Sequence, residues 1–135
     1  DSLAAADAKA FPVVGIGRDE NQAFAPWVTE VKGQRIAVIG ATQVLDSNLI
    51  TAWTATESQG GLASAKRVDR LLASVREARA VADTVVVFLH WGTEKQTCPN
   101  ERQRDLSPGQ VLLEMQGVAA DQFPVEPDLL LSRRR

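Results

Sequence analysis

Two runs of consecutive apolar residues stand out from an otherwise mixed chain. Arg35-Ile36-Ala37-Val38-Ile39-Gly40 is apolar after its first residue, and Thr84-Val85-Val86-Val87-Phe88-Leu89 is β-branched or apolar throughout. Such runs predict interior strands buried on both faces. Between them, Val68, Leu71, Leu72, Val75, Ala78 and Ala82 fall at helical spacing and predict an amphipathic helix over 64–83. The opposite face of that helix carries Lys66, Arg67, Arg70, Arg76, Glu77 and Arg79, which read as a solvated surface. A helix followed by a buried strand points to a layered α/β fold with some parallel pairing.

Weaker patterns fill in the rest. Residues 2–10 are alanine-rich, with Leu3, Ala6 and Ala10 near one face, and read as the tail of a helix. Phe11-Pro12-Val13-Val14 reads as a short buried strand with Pro12 near its start, and Gly15-Ile16-Gly17 as the turn after it. Asp19 is placed to cap a short helix over Glu20 to Ala25, which Pro26 ends. Trp27-Val28-Thr29-Glu30-Val31 alternates like a half-buried strand, with Lys32-Gly33-Gln34 as its hairpin turn. Residues 41–63, with Asp46, Trp53 and the Gly60-Gly61 break, read as a loop holding one short helix near Leu49–Ala52. A loop of this length is often functional. Glu101 to Leu106 predicts a helix that Ser107-Pro108-Gly109 interrupts and Val111 to Met115 restarts. Leu129-Leu130-Leu131 reads as a last edge strand.

Composition narrows the class. The 135 residues are 44% apolar and 24% charged, enough for one domain with a core. Net charge is −2, so no broad basic surface exists for nucleic acid. Arg133-Arg134-Arg135 is the one dense basic run and reads as a solvated tail. A single cysteine, Cys98, excludes an internal disulfide and a cysteine metal cluster. No stretch approaches the roughly 18 apolar residues of a membrane span. Asp1-Ser2-Leu3-Ala4-Ala5-Ala6 has neither an initiator Met nor the basic segment of a signal peptide, so the chain is expected to begin inside a longer protein.

His90, the only histidine, follows the second apolar run and opens His90-Trp91-Gly92-Thr93-Glu94. The carboxyl ends of strands form the usual ligand crevice of α/β sheets, and a neutral imidazole there suits zinc, manganese or iron. The alternative is a histidine that bonds locally and closes its strand. Glu94 is placed to orient a ligand or to hold a metal-bound water, or else lies in solvent. Trp91 walls a pocket or joins the core, and Gly92 permits a sharp backbone turn. Gly15-x-Gly17 lacks the third glycine of a dinucleotide fingerprint, position 20 being Glu20. No serine is tied to His90 as a triad would require. One histidine without a cysteine pair cannot build a two-metal site unless other ligands join it.

Three segments in order carry a resemblance. They are Asp1-Ser2-Leu3 through Phe11-Pro12-Val13-Val14-Gly15-Ile16-Gly17; Pro26-Trp27-Val28 into the strand ending at Gly40; and Val85 through Glu94, followed by Pro99 and Gln103. Together they resemble the CapA-type bacterial capsule-synthesis, or poly-γ-glutamate, family over roughly residues 1–106. The resemblance implies a layered α/β sandwich of metallophosphoesterase-like (calcineurin-like) type, incomplete here and represented by its central part. It implies a divalent metal (Mn, Fe or Zn), with His90 as one ligand and Trp91, Gly92 and Glu94 as motif neighbours. In such sites metals polarise a phosphoryl group and activate water. It also implies capsule or polyglutamate biosynthesis components as partners and the bacterial cell envelope or its outer face as the location.

The sequence departs from the family in two places. The Gly-Asp strand end and the Asn-His pair expected before Asp1 are not in the chain, and neither is the Gly-His-x-His loop expected after Leu106. The expected division is therefore a family-like segment over 1–106 and a divergent tail over 107–135, out of frame or otherwise replaced. Translating the other frames of the coding DNA tests this, and finding no Gly-His-x-His loop in any of them sinks it. Three functions compete: a metallophosphoesterase-like protein inactive as a fragment, a non-catalytic polymer-handling or assembly module, and a marginally folded product without activity.

Overall fold

The structure is a computed structural model in which residues 2–93 and 95–106 are described. The elements expected after Ser107, including the restart at Val111 and the edge strand at Leu129, lie outside the described residues, and so does Glu94.

The described residues form a mixed α/β fold. Helix α1 spans Ser2–Ala8, and strand β1 is the short Ile16–Gly17. Helix α2 spans Glu20–Phe24, with the Asp19 carboxylate accepting from the Gln22 amide as its N-cap. Strands β2, Trp27–Val31, and β3, Gln34–Thr42, pair antiparallel. Lys32 and Gly33 join them, both at positive φ (53° and 78°), as a two-residue turn matched to strand twist requires. Helix α3, Ile50–Trp53, and strand β4, Gly61–Leu62, lie in the region read as a loop. Helix α4, Val68–Val81, leads into β5, Thr84–His90, and α5 spans Glu101–Asp105.

Strand order in the larger sheet is β2-β3-β5, with β5 parallel to β3 from Ile36↔Thr84 through Thr42↔His90. A second sheet pairs β1 antiparallel with β4. A reciprocal pair locks the start of the parallel ladder. The Arg35 amide donates to the Asp83 carboxylate, and the Asp83 amide donates to the Arg35 carbonyl, each at 2.8 Å.

Helix α4 packs on one face of the β3–β5 pair. Leu71, Val75 and Ala78 close over Ala37, Ile39 and Val85, with Phe24 from α2 and Leu106 completing the core. The rule that buried polar groups find partners holds at Ser74, whose hydroxyl donates to the Phe24 carbonyl.

The sheet face away from α4 is open along β5, whereas Val14 and Gly15 lie over Gly40 of β3. Register places Trp27, Val38 and Val86 in one row and Gly40 beside Phe88 in the next. Val86 and Phe88 are 45% and 67% exposed. The expectation of an interior strand holds for β3, which is central and buried on both faces from Ile39 to Ala41, and is corrected for β5. Among the described residues β5 ends the sheet, and nothing packs on its second face. The strand is apolar on both sides, but α4 covers only one.

Four further corrections follow from packing. Phe11–Val14 is not a strand. It crosses as irregular chain with Phe11 and Val13 exposed, and the extended residues are Ile16–Gly17, read as a turn. Strand β2 is mostly exposed rather than half-buried, because it ends its sheet. Helix α4 begins at Val68 instead of Ser64, since Ala63 and Ala65 bond to the backbone of Gly15 and of Thr42 at the end of β3. Finally, Arg67 and Arg70 are not simply solvated. Arg67 pairs with the buried Glu20, and the Arg70 guanidinium lies 5.3 Å from the centre of the Phe24 ring.

Candidate functional site

His90 is the last residue of β5, and its ladder partner Thr42 is the last residue of β3. Both lie on the sheet face away from α4, at the carboxyl ends of two parallel strands. The Thr42 hydroxyl oxygen is 3.3 Å from His90 Nδ1. The same oxygen accepts the Val44 amide at 3.2 Å and has the Val44 and His90 carbonyls within reach at 3.3 and 3.4 Å. The Gln43 amide donates to the His90 carbonyl at 2.8 Å, so the chain leaving β3 is stitched to the end of β5. The imidazole itself is exposed.

Trp91 turns inward and packs partly buried against the core, so the reading of this aromatic as core holds. It also helps line a shallow open pocket. Gly92 has φ 102°, and a side chain there would meet the Gln103 amide group at 2.9 Å. Glycine at this position thus lets the loop fold back against α5. Gln103 and Asn100 form a capping box: the Asn100 amide donates to Gln103 Oε1 at 3.0 Å, and the Gln103 amide to Asn100 Oδ1 at 2.9 Å. Asn100 Nδ2 also donates to the Thr93 hydroxyl at 3.1 Å, tying the motif loop to the helix cap. The loop borders a shallow, open polar pocket of about 300 Å³ whose lining includes Trp91, Thr93, Gln96 and Gln103.

The motif reading found His90, Trp91 and Gly92 and noted Gln103 only as a residue following the motif; it missed Thr42 and Asn100. Asn100 and Gln103 carried a legible signal in the asparagine three residues before a glutamine at a helix start. Thr42 carried none, since only the parallel register brings it to His90.

A metal centre needs several ligands, so the donor set decides the fit. Among the described residues no group of three or more His, Cys, Asp or Glu side chains gathers where a cation could sit. His90 by itself does not make such a centre, and the described residues do not fit a complete one.

Fold and site thus define a mixed-sheet α/β protein with a histidine at the carboxyl end of its parallel β3–β5 pair. Its family model is that of the bacterial capsule synthesis protein PGA_cap, which matches residues 1–117. The chain belongs to this family, whose fold is calcineurin-like, and the expected α/β class and family assignment both hold. The match ends inside the segment read as divergent from Ser107. A search among curated proteins gives no match. No helix among the described residues is long and apolar enough to cross a membrane.

Proposed function

We propose that this capsule synthesis protein serves poly-γ-glutamate production through a metallophosphoesterase-like site at the bacterial cell envelope, and that the chain by itself is inactive. The observation that carries this reading is His90 at the carboxyl end of β5, with Thr42 within hydrogen-bond reach of one ring nitrogen. His90 is read as one ligand for a divalent cation (Mn, Fe or Zn), with Trp91, Gly92 and Glu94 as its motif neighbours. The other ligands would come from outside the described residues, which gather no cluster of their own. Capsule or polyglutamate biosynthesis components are the proposed partners.

The test is hydrolysis of an aryl phosphate by the purified chain with Mn²⁺, Fe²⁺ or Zn²⁺ added singly. No metal-stimulated turnover is expected. Turnover that appears with metal and disappears in His90→Ala refutes the proposed inactivity.

A second reading is a non-catalytic polymer-handling or assembly module, since His90 stands without a ligand cluster among the described residues. Polyglutamate binding without metal, unaffected by His90→Ala, supports it. A net charge of −2 works against direct binding of a polyanion.

A further inference from the structure

We propose that Thr42 is a positioning residue that holds the His90 ring in its Nδ1–H form, so that Nε2 presents a bare lone pair. This rests on the reading of His90 as the site residue, but it is tested independently of any metal.

A hydroxyl has one proton to give and two lone pairs to accept with. At Thr42 the backbone takes one lone pair and offers the proton two acceptors. The Val44 amide donates to Oγ1 at 3.2 Å and uses one lone pair. The hydroxyl proton has the Val44 carbonyl at 3.3 Å and the His90 carbonyl at 3.4 Å as acceptors. What remains for His90 Nδ1, at 3.3 Å, is the second lone pair of Oγ1. Among the protein groups within reach, only a protonated Nδ1 fills it. In the opposite tautomer the hydroxyl proton must turn away from both carbonyls toward Nδ1, and one lone pair of Oγ1 is left to solvent. The Nδ1–H form makes three bonds to protein groups at Oγ1, whereas the Nε2–H form makes two.

A neutral imidazole carries its single proton on one nitrogen, so fixing it at Nδ1 frees Nε2 to meet an electron-pair acceptor, whether a cation or a hydrogen-bond donor. A hydrogen bond to the other ring nitrogen is also how ligating histidines are generally oriented and made more basic. The contact is secured by strands and not by a mobile side chain. Thr42 and His90 are register partners, and the Gln43 amide bonds the His90 carbonyl at 2.8 Å.

Because His90 is the only histidine, ¹⁵N-histidine labelling gives a spectrum of this one ring. Long-range proton–nitrogen correlation at pH about 9, well above the ordinary imidazole range, reads the tautomer directly. The expected result is a majority Nδ1–H form in the unmodified chain. Thr42→Val, which keeps the β-branched shape, should shift the ratio toward Nε2–H roughly five-fold, as loss of one ordinary net hydrogen bond would. Thr42→Ser should restore it. A majority Nε2–H form in the unmodified chain overturns the proposal whether or not the variants fold, and so does an unchanged ratio in Thr42→Val. Adding Zn²⁺ separates this from the functional reading. If the ring resonances do not respond to Zn²⁺, the metal role of His90 fails while the tautomer assignment stands.

Discussion

The contact between Glu20 and Arg67 makes an asymmetric prediction. Glu20 is the first residue of α2, and its side chain is only 10% exposed, whereas the Arg67 side chain is 52% exposed. Removing either partner breaks the same ion pair, but the consequences differ. In Arg67→Ala the carboxylate stays in a dry site without its counterion. A fully buried charge stranded in this way costs 3–5 kcal/mol. Arg67 already stands half in water and the α2 N-terminus favours an anion by roughly 0.5 kcal/mol, so about 2 kcal/mol is expected here. In Glu20→Gln no buried charge remains, and Arg67 swings into solvent. About 1 kcal/mol is expected, close to the net worth of one hydrogen bond. The double variant should match Glu20→Gln, because the stranded charge is gone. Thermal unfolding followed by the fluorescence of Trp27, Trp53 and Trp91 resolves this, at roughly 3 °C per kcal/mol for a chain of this size. Arg67→Ala costing no more than Glu20→Gln would refute the reasoning, since it would mean that Glu20 is not effectively desolvated.

Leu71→Ala opens a cavity beneath β3 and β5, where Leu71 is fully buried, and should cost about 2–5 kcal/mol in urea unfolding. Gly92→Ala places a methyl group against the Gln103 side chain at a φ of 102° and should cost about 1–3 kcal/mol, with the Trp91 emission shifting as its loop moves. Asn100→Ala removes the N-cap of α5 and its bond to Thr93. A loss of about 1 kcal/mol is expected, with faster amide exchange in 101–106 as the local readout. Phe88→Ser trims the open sheet face and should lower the binding of an apolar dye while leaving the melting temperature nearly unchanged, since the ring is 67% exposed.

The sequence by itself determined the local elements. The β-branched run at 84–89 makes a strand in any context that lets it pair, and the helical spacing of Leu71, Val75 and Ala78 makes one face of a helix. Asp19 and Pro26 bracket α2 because capping and ring geometry act within a few residues. The motif His90-Trp91-Gly92-Thr93-Glu94 was likewise readable as it stands, and with it the family. Tertiary structure alone decided which apolar surfaces are covered. Phe88 and Ile39 look alike in sequence, yet α4 reaches only one face of the sheet, so Ile39 is fully buried and Phe88 is not. Packing also took Phe11–Val14 out of the sheet and gave the pairing to Ile16–Gly17, which meets β4. The partners of the charged and polar groups were beyond local reading for the same reason. Glu20 finds Arg67 through the packing of α2 on α4, and Thr42 finds His90 across 48 residues. The parallel ladder fixes that second meeting, because the pairing of Ile36 with Thr84 carries forward residue by residue to the two strand ends.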